Sequence, residues 1–199
     1  MITVACVEQG NYLGRGAEYV QVLKASVARH LAQPHRFVCL SDRDHAGVEC
    51  VPLEGGLSGW WAKLNLFRPG LFEGRVLYLD LDTIVVGALD RLADSKGILH
   101  LDRWGWDRKV YGSGVMCWDA GEYADVWTAR RDTLPQEFEG DQDWITALGG
   151  WPALPDGLAV SYRYHCLRGV PAGAAVVCCH GTPKPHQITL GWAVEAWRA

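Results

Sequence analysis

Val76-Leu77-Tyr78-Leu79-Asp80-Leu81-Asp82-Thr83-Ile84-Val85-Val86 places two acidic residues inside a stretch that is otherwise almost wholly apolar. Apolar runs of this kind are typical of strands that are buried on both faces of a parallel sheet. Residues i and i+2 of a strand share a face, so the pattern predicts that Asp80 and Asp82 point at one spot. Buried carboxylates repel each other, and a divalent cation between them is the simplest remedy. The alternative is a strand end where both acids meet solvent or an arginine.

The totals of the chain predict a single globular domain over residues 1–199. Hydrophobic residues make up 49% of the sequence and charged residues 21%, which is ordinary for a globular protein with a real core. The net charge of −4 argues against a nucleic-acid partner. The N-terminus, MITVACVEQGNY, predicts a first strand and no signal peptide, and no apolar run reaches membrane-spanning length.

Cysteines indicate a reducing compartment. The chain has seven, an odd number, with no C-x-x-C pair, and several lie in apolar runs such as VACV and FVCL. They are typical of buried thiols and not of a disulfide framework or a zinc site. We therefore expect a cytoplasmic protein.

Strands and helices alternate along the sequence, which predicts an α/β fold with a mostly parallel central sheet flanked by helices. We predict strands over residues 2–7, 36–40, 76–79, 98–101, 115–118 and 175–179. Helices are predicted over residues 17–31, 60–67, 122–131 and 142–148. Ligands of such sheets bind at the carboxyl ends of the strands, where the predicted strands place Asp42, Asp80, Asp82 and His180.

The segment Cys178-Cys179-His180-Gly181-Thr182-Pro183-Lys184-Pro185-His186 carries further chemistry. A histidine leaves an apolar strand, enters a turn and is followed by a lysine. Imidazole is a good ligand for a borderline cation, and a lysine can meet phosphate as a point charge. The alternative for His180 is a hydrogen-bonded residue that caps a strand.

Together with Asp80 and Asp82, this segment resembles the site of nucleotide-sugar glycosyltransferases of the GT-A fold. The best match is to retaining enzymes of glycosyltransferase family 8, the glycogenin and galactosyltransferase type. The resemblance implies that Asp80, Asp82 and His180 hold Mn²⁺ or Mg²⁺. It also implies that Gly181 and Lys184 bind the diphosphate of the donor, which would be a uridine diphosphate hexose.

Three more motifs follow the order of that family. They are Trp60-Trp61-Ala62-Lys63-Leu64, Tyr111-Gly112-Ser113-Gly114-Val115-Met116 and Gly140-Asp141-Gln142-Asp143. They resemble the helix whose lysine approaches the phosphates, the FNSGVM segment beside the sugar, and the DQ pair that contacts the transferred sugar. The sequence departs from the family pattern at Gly112, which replaces an asparagine, and in the shortened spacing after His180.

The resemblance implies catalytic roles for Asp141, Gln142 and Lys184. The implied substrate-binding residues are Val7, Tyr12, Asp42, Lys63, Leu81, Ser113, Gly114, Asp141, Gln142, Gly181 and Lys184. Val7, Tyr12 and Asp42 are candidates for the nucleoside. The alternative for Asp42 is a turn or helix cap, and Asp141 stands where it could cap a helix.

Retention of configuration leaves two routes open, with Asp141 as a nucleophile or with same-face attack guided by the departing phosphate. The acceptor is not identified by the sequence, although a small molecule, glycan or protein is favoured over lipid or DNA. The apolar residues of the segment 188–197 could touch a membrane surface. The alternative is that they pack on the domain.

Two other functions compete with transfer. A module could bind a nucleotide sugar or a partner without transferring anything, and the change at Gly112 would suit lost turnover. The run from Asp80 to Thr83 also resembles the nucleophile motif of haloacid-dehalogenase phosphatases, but Ile84 stands where that motif has threonine or valine. No complete G-x-G-x-x-G or G-x-S-x-G pattern is present, which argues against a dinucleotide-binding domain and an α/β-hydrolase.

Overall fold

The structure is a computed structural model that describes residues 1–105 and 110–198. Its strands are β1 (Ile2–Glu8), β2 (His35–Ser41), β3 (Glu49–Pro52), β4 (Arg75–Leu79), β5 (Thr83–Val85), β6 (Gly97–His100), β7 (Tyr111–Asp119), β8 (Ala159–Ser161) and β9 (Val176–Cys178). Its α-helices are α1 (Gly16–His30), α2 (Asp90–Ala93), α3 (Asp125–Thr128), α4 (Leu134–Glu137), α5 (Asp141–Leu148), α6 (Tyr162–His165) and α7 (Gly191–Arg198). Turns of 3₁₀ helix cover Tyr12–Gly14, Gly59–Phe67, Leu101–Trp104 and Pro185–Gln187.

In the described part of the chain, six strands form the larger sheet in the order β3-β2-β1-β4-β7-β6. The pairings from β3 through β4 are parallel, whereas β7 runs antiparallel to β4 and β6. This arrangement confirms the predicted α/β fold with a mostly parallel central sheet.

The central strands are buried on both faces, which explains their continuous apolar sequence. In β4, Leu77 and Leu79 face the core that contains α1, and Val76 and Tyr78 face the core on the opposite side of the sheet. Helix α1 covers the first face with buried residues at helical spacing: Tyr19, Val20, Leu23 and Val27. The predicted helix 17–31 and strands 2–7, 36–40 and 76–79 are thereby confirmed within two residues at each end.

A smaller sheet corrects the first expectation of the sequence. The run 76–86 is two strands and not one, because β4 ends at Leu79 and β5 begins at Thr83. Thr83 N–H donates to Asp80 O at 3.0 Å and closes a turn between them. Strand β5 then pairs with β9 in a separate sheet of order β5-β9-β8. Asp80 and Asp82 therefore lie in a turn that links two sheets, and strand alternation does not set their direction.

Other boundaries were less predictable. The predicted helix 122–131 is reduced to α3, and strand 115–118 extends to Tyr111–Asp119. Strands β3 and β8 and helix α7 were not predicted. Within α7, Trp197 is buried and packs edge-on against Tyr19 with ring centroids 4.7 Å apart, which agrees with the packing alternative for the segment 188–197. Among the described residues, no helix has the length and apolar character needed to cross a membrane.

Candidate active site

A cleft of about 520 Å³ opens where β4, β7 and β9 meet. Six separate parts of the sequence line it: the Gly59–Phe67 turn, the loop between β4 and β5, β6 with the turn after it, strand β7, the start of α5, and the loop after β9. The lining includes ten predicted site residues, which are Lys63, Asp80, Asp82, Ser113, Gly114, Asp141, Gln142, His180, Gly181 and Lys184. The motifs that resemble one family are thus brought together in one place.

Lys63 is the buried cation of this cleft. Its Nζ lies 3.1 Å from Asp80 Oδ1 and 3.2 Å from Asp141 Oδ2, and it donates to Ser113 Oγ at 3.0 Å. Burial lowers the pKa of Lys63, but Asp141 and Asp80 outweigh that effect and raise the pKa above its ordinary value. Lys63 is therefore a fixed positive charge that joins the DxD turn to α5.

Asp80 is held tightly between the lysine and the strand β7. Its Oδ1 accepts a hydrogen bond from Tyr78 Oη at 2.5 Å, and its backbone N–H donates to Gly114 O at 2.8 Å. A β-carbon built on Gly114 would lie 3.0 Å from Asp80 Oδ2, which is tighter than ordinary contact. A glycine at position 114 therefore gives this carboxylate its room.

Asp82 forms the second ion pair of the cleft. Its Oδ2 accepts hydrogen bonds from Lys184 Nζ and, at 3.1 Å, from Tyr12 Oη. Burial raises the pKa of Asp82 and the negative charge of Asp80 raises it further, whereas Lys184 and Tyr12 lower it. The turn thus holds two carboxylates close enough to repel, each paired with a lysine.

The donor set of this turn fits a divalent cation. Among the described residues, the hydrogen bonds and ion pairs of the two carboxylates use Asp80 Oδ1 and Asp82 Oδ2, so each carboxylate keeps one oxygen for a ligand. Carboxylate oxygen and imidazole nitrogen suit Mn²⁺, while Mg²⁺ prefers oxygen alone. In the described residues no three His, Cys, Asp or Glu side chains form a ready-made cluster. The assignment of Asp80, Asp82 and His180 as metal ligands therefore stays a prediction.

His180 lies on the side of the cleft that the smaller sheet, β5-β9-β8, forms. Its Nε2 contacts Ser161 Oγ at 2.8 Å, and its ring stacks on Trp104 with centroids 6.0 Å apart. Burial lowers the pKa of His180, and the charges of Arg163 and Lys184 lower it further. The imidazole is therefore neutral near pH 7, the form that binds metals.

Asp141 is the most deeply buried carboxylate of the cleft, with a relative exposure of 4%. It is the first residue of α5, and Gly140 occupies the N-cap position, so the capping alternative for Asp141 is not what the structure has. Asp141 Oδ2 lies within ion-pair distance of Lys63, yet it lacks a well-aligned hydrogen-bond donor among the described residues. This enclosed oxygen faces the lysine, so Lys63 anchors Asp141 in the wall of the cleft.

A second cleft, of about 590 Å³, lies beside the first at the ends of β2 and β3. Asp42 lines it and accepts hydrogen bonds from Gly10 N–H at 3.0 Å and Arg43 Nε at 3.1 Å. The pKa of Asp42 is lowered, first of all by Arg43. Asp42 thus fastens the loop after β1 and lines the second cleft, and its role in binding a nucleoside stays a prediction.

The remaining predicted substrate residues do not line either cleft with their side chains. Leu81 is buried in the core, Val7 is half-buried against the opposite core, and Tyr12 bonds to Asp82. Tyr12 therefore supports the site from behind. Any contact of Leu81 with a ligand would use its backbone.

Trp60, Trp104 and Thr83 are among the residues of the main cleft that were not predicted as site residues. Trp60 stands at its mouth with a relative exposure of 71%, Trp104 stacks on His180, and Thr83 lines the wall. The abundance of tryptophan was the available signal, but it did not say which of the ten were exposed.

Gly112 is explained by its packing. A β-carbon built there would lie 2.7 Å from Leu101 Cδ2 and 3.1 Å from Leu99 Cβ. An asparagine at this position would require the Leu101 side chain to move and Leu99 to give by a few tenths of an ångström. The glycine at position 112 therefore fits against the leucines that pack on it.

Solved structures share this fold over nearly the whole chain. GlyE, a glycosyltransferase of Streptococcus pneumoniae TIGR4, has a TM-score of 0.72 and 18% identity, and the match covers 100% of this chain but 60% of GlyE. The galactosyltransferase LgtC, solved with donor and acceptor sugar analogs, has a TM-score of 0.67 and 17% identity, with 98% and 95% covered. The bifunctional glycosyltransferase WbbM has a TM-score of 0.59 and 15% identity, with 92% and 46% covered.

Comparison of the sequence alone finds no similar protein family or curated protein. The chain spans about 60% of the length of GlyE and 95% of the length of LgtC. Its similarity to these proteins is one of backbone structure. The chain has the GT-A fold that these glycosyltransferases share, which confirms the fold that its motifs predict.

Proposed function

We propose that the chain is a metal-dependent glycosyltransferase that moves a hexose from a nucleoside diphosphate sugar to an acceptor hydroxyl. Uridine diphosphate glucose or galactose is the expected donor, and retention of configuration is the expected outcome. The observation that carries the proposal is the position of Lys63 between Asp80 and Asp141. That lysine joins the DxD turn to the DQ segment on the floor of one cleft.

Charge at the cleft suits the departure of a nucleoside diphosphate. Cleavage of the sugar–phosphate bond places negative charge on the leaving group, and fixed cations that face developing charge are effective catalysts. Lys184 is partly exposed, with 20% of its side chain accessible, so it can contact a diphosphate. Lys63 holds Asp80 and Asp141 in place and adds positive charge beneath them.

Asp80, Asp82 and His180 would hold the cation, and a bound Mn²⁺ or Mg²⁺ would supply Lewis-acid stabilisation of the leaving group. Asp80 and Asp82 offer one oxygen each, and the neutral imidazole of His180 offers nitrogen once it leaves Ser161. Lys184 releases Asp82 when it turns toward phosphate. The ion pairs with Lys63 and Lys184 orient the two carboxylates.

Asp141 and Gln142 supply the sugar side. Asp141 lies in the wall of the cleft with its Oδ2 enclosed against Lys63, and a sugar hydroxyl would donate to its other carboxylate oxygen. Asp141 also remains the residue to test as a nucleophile, against the route in which the phosphate oxygen deprotonates the acceptor. The exposed ring of Trp60 at the mouth offers a face on which an acceptor or donor sugar can stack.

A donor screen tests the proposal. The protein is incubated with Mn²⁺ and a panel of nucleotide sugars, and both its melting temperature and donor hydrolysis are recorded. A ligand at 100 times its Kd stabilises the folded state by about 2.7 kcal/mol, so a true donor stands out. Stabilisation by uridine diphosphate hexoses with slow release of the diphosphate supports the proposal.

Other outcomes of the screen separate the alternatives. Stabilisation by another nucleotide class would replace the donor and keep the fold. Nucleotide affinity without donor consumption, in the presence of simple sugar acceptors, would indicate a binding module. Release of phosphate from a generic ester without nucleotide dependence would indicate a phosphatase.

A further inference from the structure

Glu8, at the end of β1, is a carboxylate with no exposed surface. Its Oε1 accepts the backbone N–H of Tyr12 at 3.0 Å. Its Oε2 accepts Ser41 Oγ at 3.0 Å and lies 3.2 Å from His45 Nε2. A buried carboxylate is costly unless its oxygens are satisfied, so these contacts fix Glu8 in one position.

The loop that Glu8 holds has an unusual backbone. Gly10, Asn11, Leu13 and Gly14 have φ values of 67°, 59°, 52° and 71°. Asparagine tolerates this left-handed region, but leucine rarely occupies it. Such a loop needs fixed partners, and it has them at Gly10, through Asp42, and in its middle, where Glu8 holds Tyr12.

Tyr12 carries the restraint to the main cleft. Its ring packs edge-on against Tyr19 with centroids 5.3 Å apart, and its hydroxyl donates to Asp82 Oδ2 at 3.1 Å. That hydrogen bond and the ion pair with Lys184 occupy the same oxygen of Asp82, which leaves Oδ1 for a ligand. Because Tyr12 lines neither cleft, its contribution is made through Asp82.

We propose that Glu8 is a positioning residue that acts through Tyr12 on Asp82. The Glu8 carboxylate holds the Tyr12 backbone, the Tyr12 hydroxyl holds one oxygen of Asp82, and the other oxygen faces the diphosphate end of the donor. The proposal rests on the proposed function in one respect, which is the assignment of Asp82 to the donor diphosphate. The contacts among Glu8, Tyr12 and Asp82 do not depend on it.

Glu8 also contacts the wall of the second cleft. Its Oε2 accepts from Ser41 and lies 3.6 Å from Arg43 Nε, and both of those residues line the second cleft. One carboxylate thus supports the second cleft with one oxygen and the loop behind Asp82 with the other. Ligands in the two clefts would share this support.

A ligand-free double-mutant cycle tests the positioning role. Tyr12→Phe removes the hydroxyl that meets Asp82, and Glu8→Met removes the acceptor of the Tyr12 N–H at similar length. Urea unfolding is measured for wild type, both single variants and the double variant. We expect Tyr12→Phe to cost less in the Glu8→Met background than in wild type, because the hydroxyl is no longer held in place. Equal costs in both backgrounds would overturn the proposal.

Ligand binding gives a second readout. With Mn²⁺, Glu8→Met and Tyr12→Phe should each weaken uridine diphosphate about tenfold, and the double variant should be no weaker than the worse single variant. Affinity for uridine should not change. Glu8→Gln keeps an oxygen for Tyr12 and should restore most of the affinity. His45→Gln, which alters only the Oε2 side of the same cluster, should lower stability without this selective loss.

Two contingencies are covered. If Glu8→Met does not fold, Glu8→Asp keeps the charge but withdraws the carboxylate from Tyr12, and the same cycle is run with it. If wild type binds no nucleotide, the proposed function fails, and the unfolding cycle alone decides the positioning role. Multiplicative losses in the binding cycle, or a matching loss from His45→Gln, would show that Glu8 is merely structural.

Discussion

Gly114 lies so close to Asp80 that a β-carbon at position 114 would be 3.0 Å from Asp80 Oδ2. The backbone of Gly114 does not have positive φ, so alanine can adopt it and the effect of substitution is one of space. We predict that Gly114→Ala displaces the Asp80 carboxylate and weakens Mn²⁺-dependent binding of uridine diphosphate about tenfold. Isothermal titration calorimetry with Mn²⁺ present measures this affinity.

Gly191→Ala is the matched control, because position 191 has no heavy atom within 4 Å of a new β-carbon and does not have positive φ. It should leave affinity unchanged and slightly favour α7. Unchanged affinity in Gly114→Ala would show that Oδ2 of Asp80 does not face the ligand.

Lys184 should discriminate between phosphate and nucleoside. Lys184→Ala removes a charge-assisted contact, typically worth about 1.5–3 kcal/mol, so uridine diphosphate should bind roughly ten- to hundredfold more weakly. Uridine should bind as before. Lys96→Ala removes an exposed lysine that pairs with Asp119 and Glu122 and should change neither affinity. Equal loss for both ligands in Lys184→Ala would point to disturbed folding.

Lys63 should be harder to replace than Lys184, because it is buried between two carboxylates. Lys63→Met leaves Asp80 and Asp141 without their cation, and breaking a buried pair in this way typically costs about 3–5 kcal/mol of stability. Lys63→Arg keeps the charge and should lose less. Urea unfolding measures both, and a neutral effect of Lys63→Met would contradict the assignment of the ion pair.

Asp82 should be needed for donor turnover while its ionised carboxylate lowers the stability of the fold. Its pKa is raised in the folded state, so the folded chain binds the proton more tightly than the unfolded chain. Ionisation of Asp82 therefore costs stability as the pH rises through the folded pKa. We predict that Asp82→Asn abolishes Mn²⁺-dependent donor turnover while the melting temperature at pH 7 is kept or raised. Full turnover in this variant, or activity after chelation, would remove the metal assignment.

Cys50 can report on the second cleft. It is half-buried and lines that cleft, whereas the other six cysteines are buried. Burial raises the pKa of the Cys50 thiol, so alkylation by iodoacetamide should be slow at neutral pH and faster as the pH rises. Because Asp42, a candidate for the nucleoside, lines the same cleft, we predict that uridine diphosphate slows alkylation at Cys50, as measured by peptide mass spectrometry. Cys50→Ser is the control. If uridine diphosphate does not protect Cys50, the nucleoside binds outside the second cleft.

The fold could be predicted from local sequence because apolar strands and the amphipathic helix α1 follow one another near the start of the chain, although the predicted helix 60–67 is a 3₁₀ helix. The break at Asp80 could not, because β5 pairs with β9, which lies some 90 residues later, and no local signal reports a partner so distant. The bounds of the short helix α3 were predicted wrongly for a related reason. Its residues Val126 and Trp127 are apolar, but tertiary packing and not periodicity decides where a four-residue helix ends.

The site was predictable where a motif carried it and not where packing did. Lys63, Asp80, Asp141 and Lys184 were found from the order of their motifs, and the structure brings them into one cleft. Glu8 and Tyr12 act from behind the lining, through a backbone hydrogen bond and a hydroxyl. Such a contact follows from the conformation of the loop after β1, which the sequence Gln9-Gly10-Asn11 only marks as a turn.

The turn between β4 and β5 joins two sheets that have separate hydrogen-bond ladders. Asp80 follows the larger sheet, and His180 follows β9 of the smaller one. The distance between a carboxylate and an imidazole that would share one ion is consequently fixed by how the sheets lie against each other. A small rotation of one sheet relative to the other would therefore change the distance between the candidate metal ligands. Such a rotation would alter metal affinity even if no ligand-binding side chain were changed.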